Sequence, residues 1–306
     1  MDAIQILDGG LGTSLEDRYG VKFDDSTPLW SSQLVTSHKD TLLACQRDFA
    51  EAGADVLLTA TYQVSIEGFA KTKTAEHPNG VPKSAIGQYL KAAVDIAGRA
   101  KVRDTTKLAL GLGPYGACMV PSQEYSGKYD AAHDSERALY DWHLERLRLF
   151  TAVDGLMDRV HFIAFETIPR LDEIRAVRQA MASAGIRKDF WISSVFPGAP
   201  NTLPDGSTVE QVIEAMLGPL DCAATPWGVG INCTKIAKLP DLVRNYETAV
   251  SKMTSSGTLP SSPALVLYPD GTKGEIYNTT TKTWEQGLAA EGPQKQGVSL
   301  YTVCPT

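Results

Sequence analysis

Seven short apolar runs recur along the chain, each breaking off into glycine, proline or polar residues: IQILDGG, DVLLTATY, KLALGLGPYG, VHFIAFETIP, DFWISSVF, WGVGINCT and PALVLYPDG. Their length, their β-branched and aromatic content and their apolar residues on successive positions predict strands buried on both faces. Between them, HKDTLLACQRDFAEAG, DSERALYDWHLERLRLF, LDEIRAVRQAMASAG and STVEQVIEAML repeat their apolar residues at helical spacing. Each is long enough to carry the chain back to a parallel neighbour. Repetition of β then α beyond six units predicts an α/β fold, a closed (β/α)8 TIM barrel in preference to an open doubly wound sheet. No Pro-, Gly- or Ser-rich linker divides the 306 residues, which read as one domain over 1–306.

The tail departs from this rhythm. After TKTWEQGLAAEGPQKQ only GVSLYTVCPT remains, enough for an eighth strand but not for a helix to cover it. The expectation is a barrel incomplete at its C-terminal strand and helix. Apolar surface beside strands eight and one would then be open, which predicts either a homo-oligomer that covers it or poor solubility.

A net charge of −7 and a pI near 5.3 exclude the basic face that nucleic-acid binding needs, and point to a small-molecule partner. Without a leader pattern or a membrane-length apolar stretch, the expectation is a cytoplasmic protein with no membrane partner. The five cysteines, Cys45, Cys118, Cys222, Cys233 and Cys304, are dispersed and include no C-x-x-C pair. That argues against a disulfide framework and a compact zinc knuckle, so any metal ligands would come from distant parts of the chain.

In parallel α/β folds the residues at the C-terminal ends of strands surround the ligand. Here those ends carry Asp8-Gly9-Gly10, Thr59 to Tyr62, Gly113 to Tyr115, Glu166-Thr167 and Asn232-Cys233-Thr234. In DGGLGTSLE a T-x-x-E box made by Thr13 and Glu16 predicts a helix start, and free amides beside Gly9 and Gly10 suit an anion such as an amino-acid carboxylate. An ordinary tight turn explains the same stretch, and the absence of G-x-G-x-x-G excludes a dinucleotide fingerprint. Glu166, acidic in an apolar strand, needs a positive partner: a substrate ammonium, or a structural ion pair with a neighbour such as Arg170. Cys233 reads either as a small buried hydrophobe or, with polar Asn232 and Thr234 beside it, as part of a ligand site. Lys235 is a weaker candidate for Schiff-base chemistry, because KIAKLP reads as surface. The histidines His38, His77, His133, His143 and His161 are expected away from the mouth, in surface roles and not as metal ligands.

The ordered motifs DGGLGT, TATYQ, GPYGA with SQEYSGKY, ETIP, GINCT and VLYPDG resemble the homocysteine S-methyltransferase family, zinc-dependent (β/α)8 barrels related to betaine-homocysteine methyltransferase. The resemblance runs from the first strand to about Trp284. SQEYSGKY is most similar to the branch that uses sulfonium donors, S-methylmethionine or S-adenosylmethionine. The resemblance implies a methyltransferase of methionine biosynthesis, with homocysteine and a sulfonium as substrates and zinc as cofactor. By motif, Glu166 would hold the homocysteine ammonium, amides at Gly9 and Gly10 its carboxylate, and Cys233 one zinc position. Asp8, Thr59, Thr61, Tyr62, Tyr115 and Asn232 would line the substrate pocket, with Tyr62, Tyr115, Tyr125 and Trp227 as candidate aromatic contacts for the cation. The family's G-G-C-C after the last strand has no counterpart in GVSLYTVCPT, where Cys304 precedes Pro305. The alternative that follows is a catalytically impaired or metal-free barrel that still binds amino acids.

Overall fold

The computed structural model describes residues 4–24, 26–271, 275–278, 283–286 and 301–304, with side chains up to residue 271. All seven apolar runs are strands: β1 (Gln5–Leu7), β2 (Val56–Leu58), β3 (Lys107–Leu112), β4 (Phe162–Ile168), β5 (Asp189–Ser194), β6 (Gly228–Lys235) and β7 (Ala264–Asp270). They pair in parallel and in chain order from β1 to β7. Helices α1 (Leu11–Tyr19), α2 (Leu34–Ser37) and α3 (Lys39–Glu51) lead to β2, and α4 (Ile66–Lys71) and α5 (Ile86–Ala100) lead to β3. Then α6 (Glu136–Thr151), α7 (Leu171–Ser183), α8 (Val209–Leu217) and α9 (Leu239–Ser255) each separate the next pair of strands. Among the described residues no helix is long and apolar enough to cross a membrane.

The barrel closes in an unexpected way. A hairpin of β8 (Glu275–Asn278) and β9 (Thr283–Gln286) follows β7, and β10 (Tyr301–Cys304) then lies antiparallel between β7 and β1. A parallel return would need the chain to be carried back to the floor first, usually through a helix. Here the hairpin follows the upper end of β7, and β10 descends. Tyr301 is in register with Leu7 near the mouth, and Cys304 with Leu265 near the floor. The eighth strand anticipated in the tail is therefore present but inverted, and the segment 287–300 that would bear a covering helix lies outside the described residues.

Alternation along the strands sorts the core into two layers. Outward residues such as Ile163, Phe165, Ile192 and Ile231 pack with the helices into one large cluster. Inward, Leu7, Val56, Ala109, Phe162, Ala164, Trp191, Val266 and Tyr268 fill the barrel, with the Trp227 ring tilted against Phe162 at a centroid distance of 5.2 Å. Trp227 precedes β6, so it plugs the floor and is removed from the candidate cation contacts.

The predicted capping box at Thr13 does not form. Gly10 is the N-cap without a side-chain cap, and Thr13, inside the helix, donates back to the Gly10 carbonyl at 3.0 Å. A reciprocal box does form on α8, between Thr208 and Gln211.

Candidate active site at the C-terminal mouth of the barrel

On β4 the inward residues are Phe162, Ala164 and Glu166, which brings the glutamate above the apolar plug. Its carboxylate occupies space left by a glycine: a methyl group on Gly111 of β3 would lie 2.7 Å from Glu166 Oε1. Glu166 is 9% exposed, and among the described residues no donor is hydrogen-bonded to it. Burial raises its pKa well above the ordinary range, the Asp8 carboxylate raises it further, and Arg146 opposes both. Arg146 gives its hydrogen bonds elsewhere, to the carbonyls of Gly113, Thr61 and Tyr62. The ion pair weighed for Arg170 is absent, since Arg170 binds Asp172 and Asp134. Asp8 ends β1 and accepts the Leu58 N–H at 2.7 Å; burial raises its pKa too, against the pull of that N–H and its own. Two buried acids thus share the mouth.

Cys233 is neither an aliphatic core residue nor a free thiolate. It has a left-handed backbone (φ 47°), as does Thr167 at the end of β4 (φ 62°), and Asn232 links the two. Asn232 Oδ1 accepts the Thr167 N–H at 2.8 Å, and Nδ2 donates to Thr167 Oγ1 at 2.7 Å and to Cys233 Sγ at 3.2 Å. The Thr167 hydroxyl lies 3.6 Å from the sulfur, and the Tyr125 hydroxyl donates to it. Burial pushes the thiol up to about 12, the hydroxyls of Thr167 and Tyr125 pull it down, and the charges of Glu166 and Glu124 add to the rise. The sulfur is thus a neutral acceptor within electrostatic reach of Glu166.

Several other candidates serve the scaffold. Thr59 and Thr61 share a 2.6 Å hydroxyl contact, and Thr61 donates to the Gly111 carbonyl at 2.8 Å, so these hydroxyls join β2 to β3. Tyr62 packs its ring against Gly113, where a methyl group would lie 2.7 Å away, and hydrogen-bonds Thr167. It reaches the Cys233 cluster. Tyr115 instead bonds Asp130 and stacks on His133 at 4.1 Å. Its N–H donates to Glu173 at 2.7 Å, and Glu173 also holds the Tyr129 hydroxyl and His143 Nε2 at 2.9 Å. His143 is therefore no surface residue: it is fully buried, and burial holds it below the ordinary histidine range against Glu173. Lys235, the last residue of β6, is exposed. Among the described residues no intramolecular partner is recorded for the N–H groups of Gly9 and Gly10, where β1 gives way to α1.

A family model described as homocysteine S-methyltransferase matches residues 5–300. Homocysteine S-methyltransferase 2 of Arabidopsis thaliana is 30% identical over 290 residues, 91% of this chain and 79% of that protein. Homocysteine S-methyltransferase YbgG of Bacillus subtilis is 28% identical over 310 residues, 94% of this chain and 82% of that protein. The crystal structure of the homocysteine methyltransferase MmuM from Escherichia coli in its metallated form superposes with a TM-score of 0.62 at 24% identity. That alignment covers 88% of this chain and 84% of MmuM, and it shows the shared fold. The chain belongs to the homocysteine S-methyltransferase family. Membership makes it a methyltransferase that acts on homocysteine.

The zinc that the family resemblance implies can be tested against this chain's own side chains. A catalytic zinc site typically takes three protein ligands. Among the described residues no group of three His, Cys, Asp or Glu side chains converges on one point. Cys45 lies in α3, Cys222 is exposed, and the register of β10 puts the Cys304 backbone at the opposite end of the barrel from Cys233. Cys118, past the end of β3, gives its thiol to the Gln63 carbonyl at 3.5 Å, and Cys233 is occupied by hydrogen bonds from Asn232 and Tyr125, so the described residues do not fit a zinc ion.

Proposed function

We propose that this homocysteine S-methyltransferase takes its methyl group from a sulfonium, S-methylmethionine or S-adenosylmethionine. The donor class rests on the likeness of SQEYSGKY to the sulfonium-using branch. The observation that carries the homocysteine end of the reading is Glu166, a buried carboxylate above the apolar plug, given room by Gly111 and bonded by no donor among the described residues. A group so placed is stabilised by a cation brought from outside, and the ammonium of an amino acid supplies one. Asp8 adds negative charge on the same side. The amides of Gly9 and Gly10, at the positive start of α1, suit the substrate carboxylate. An amino acid held at both charges would direct its side chain toward Cys233, where Asn232 and the Tyr125 and Thr167 hydroxyls create a polar setting for sulfur.

In the transfer, a lone pair on homocysteine sulfur forms the new bond to the methyl carbon as the donor's S–CH3 bond breaks. The electron pair of the broken bond stays on the donor sulfur, which leaves as a neutral thioether. The thiol proton passes to solvent, and the other product is methionine. Because the described residues do not fit zinc, the site's own contribution is to bind and orient the amino acid. The neutral, hydrogen-bonded state of Cys233 favours one second reading, a metal-free barrel that binds homocysteine without turning it over.

Purified protein incubated with homocysteine and methyl-labelled S-methylmethionine or S-adenosylmethionine should form labelled methionine, and Glu166→Gln should abolish it. Calorimetric binding of homocysteine, indifferent to added zinc and without labelled methionine from either donor, would establish the second reading instead.

A further inference from the structure

The family-like motif SQEYSGKY contains an acid that nothing above uses, Glu124. Its turn is pinned in place: Gln123 N–H donates to the Gly116 carbonyl at 2.8 Å and Gly127 N–H to the Gln123 carbonyl at 2.9 Å. Gly116 fits beneath it only for want of a side chain, since a methyl group there would lie 2.8 Å from the Gln123 backbone. Thus fixed, Glu124 has one carboxylate oxygen, Oε2, shut off from solvent and, among the described residues, without a hydrogen-bond partner. Its own N–H and the Ser122 side chain serve the carboxyl group, and among the described residues no lysine or arginine acts on it. The next residue, Tyr125, carries the hydroxyl that donates to Cys233, and Glu124 acts electrostatically on Tyr62, Tyr125 and Cys233 together.

A half-buried carboxylate with one solvent-excluded, unused oxygen and no counter-charge among the described residues is stabilised by a cationic ligand. Glu166 already faces the homocysteine ammonium in the proposed reading, so a second cation is needed, and the reaction brings one. We propose that Glu124 is the donor-specificity residue: its carboxylate is the counter-charge for the sulfonium group, with the Tyr62 and Tyr125 rings beside it as the aromatic contacts. This rests on the sulfonium reading above. The positive charge disappears from the donor as the methyl group leaves, so the pair is strongest before transfer. Glu124 should therefore tighten donor binding without accelerating the chemical step.

S-Methylmethionine and methionine differ by one methyl group and one charge, which makes them the probes. Calorimetry should find the wild type binding the sulfonium at least about tenfold more tightly than methionine, a preference that Glu124→Gln removes and Glu124→Asp keeps in part. Homocysteine affinity, unchanged in both variants, reports that they are folded. In turnover, Glu124→Gln should raise the donor KM and leave kcat near its wild-type value. A Glu124→Gln protein that still prefers the sulfonium as the wild type does overturns the assignment and leaves the donor reading standing. A wild type with no preference overturns both.

Discussion

Asn232 entered as a candidate substrate contact, yet the structure gives its amide to the protein itself, and this is testable through stability alone. Replacing it by alanine removes the acceptor of the Thr167 N–H (2.8 Å) and the donor to Thr167 Oγ1 (2.7 Å) and Cys233 Sγ (3.2 Å), at a side chain 1% exposed. Leaving one buried N–H unpaired costs about 1–3 kcal/mol. The lost side-chain volume adds to that, while any relaxation of Thr167 from its φ of 62° returns part of the roughly 1–3 kcal/mol stored there. The expected net loss for Asn232→Ala is about 2–4 kcal/mol. Urea unfolding of the ligand-free protein measures it, as a lower midpoint at unchanged m-value. If the amide's task is to hold a strained threonine, Thr167→Gly relieves the strain, and the two changes couple by about 1 kcal/mol or more in a double-mutant cycle. A loss under about 0.5 kcal/mol, or strict additivity with Thr167→Gly, would refute the clamp.

Gly111→Ala places a methyl group 2.7 Å from Glu166 Oε1 and 3.4 Å from the Thr59 carbonyl, so the carboxylate must move. Homocysteine affinity should fall by roughly tenfold or more with little change in sulfonium binding; equal affinity would mean that Glu166 does not contact the substrate. Burial and Asp8 raise the Glu166 pKa above its unfolded value, so the folded protein holds a proton that the unfolded chain gives up near pH 4.3. Its contribution to stability is full below about pH 4.3 and is lost as pH rises through the folded pKa. Glu166→Gln should flatten that decline in the ligand-free protein, and homocysteine binding to the wild type, followed as pH is raised from about 4.3, should release protons, seen calorimetrically in buffers of different ionisation enthalpy. Proton-neutral binding contradicts the shift. Cys222 is exposed, whereas burial pushes Cys233 up to about 12, Cys118 to about 11 and Cys45 to about 12. Iodoacetamide at pH 8 should label Cys222 well before these three, as mass spectrometry of the peptides would reveal. Rapid labelling of Cys233 would show an activated thiol.

All seven parallel strands were legible because burial on both faces leaves a continuous apolar run with a polar end. The same logic pointed to Glu166, an acid where an apolar strand should carry none. Helices α5 and α9 carry the same kind of signal, amphipathic spacing in IGQYLKAAVDIAGRA and LPDLVRNYETAVSKMTS. The direction of β10 was not legible, since four residues of strand carry no sign of which end of the barrel they enter. Asn232 and Thr167 also hid their role: a clamp between β4 and β6 depends on two left-handed residues that no local pattern announces. Gly111 and Gly116 were the available signals for the site's shape. Each leaves space that the Glu166 carboxylate or the Gln123 backbone fills, a relation visible only once the strands are side by side.

Glu173 binds the Tyr115 amide, the Tyr129 hydroxyl and the His143 ring with one buried carboxylate. The rim that carries Glu124 and Tyr125 is thereby anchored at both ends to the helices behind it. Its conformational freedom is surrendered when the chain folds, so an arriving ligand meets a finished edge and gives up little affinity to ordering it. Selectivity at this entrance is then a matter of fixed charge and shape, with no closing movement to wait for.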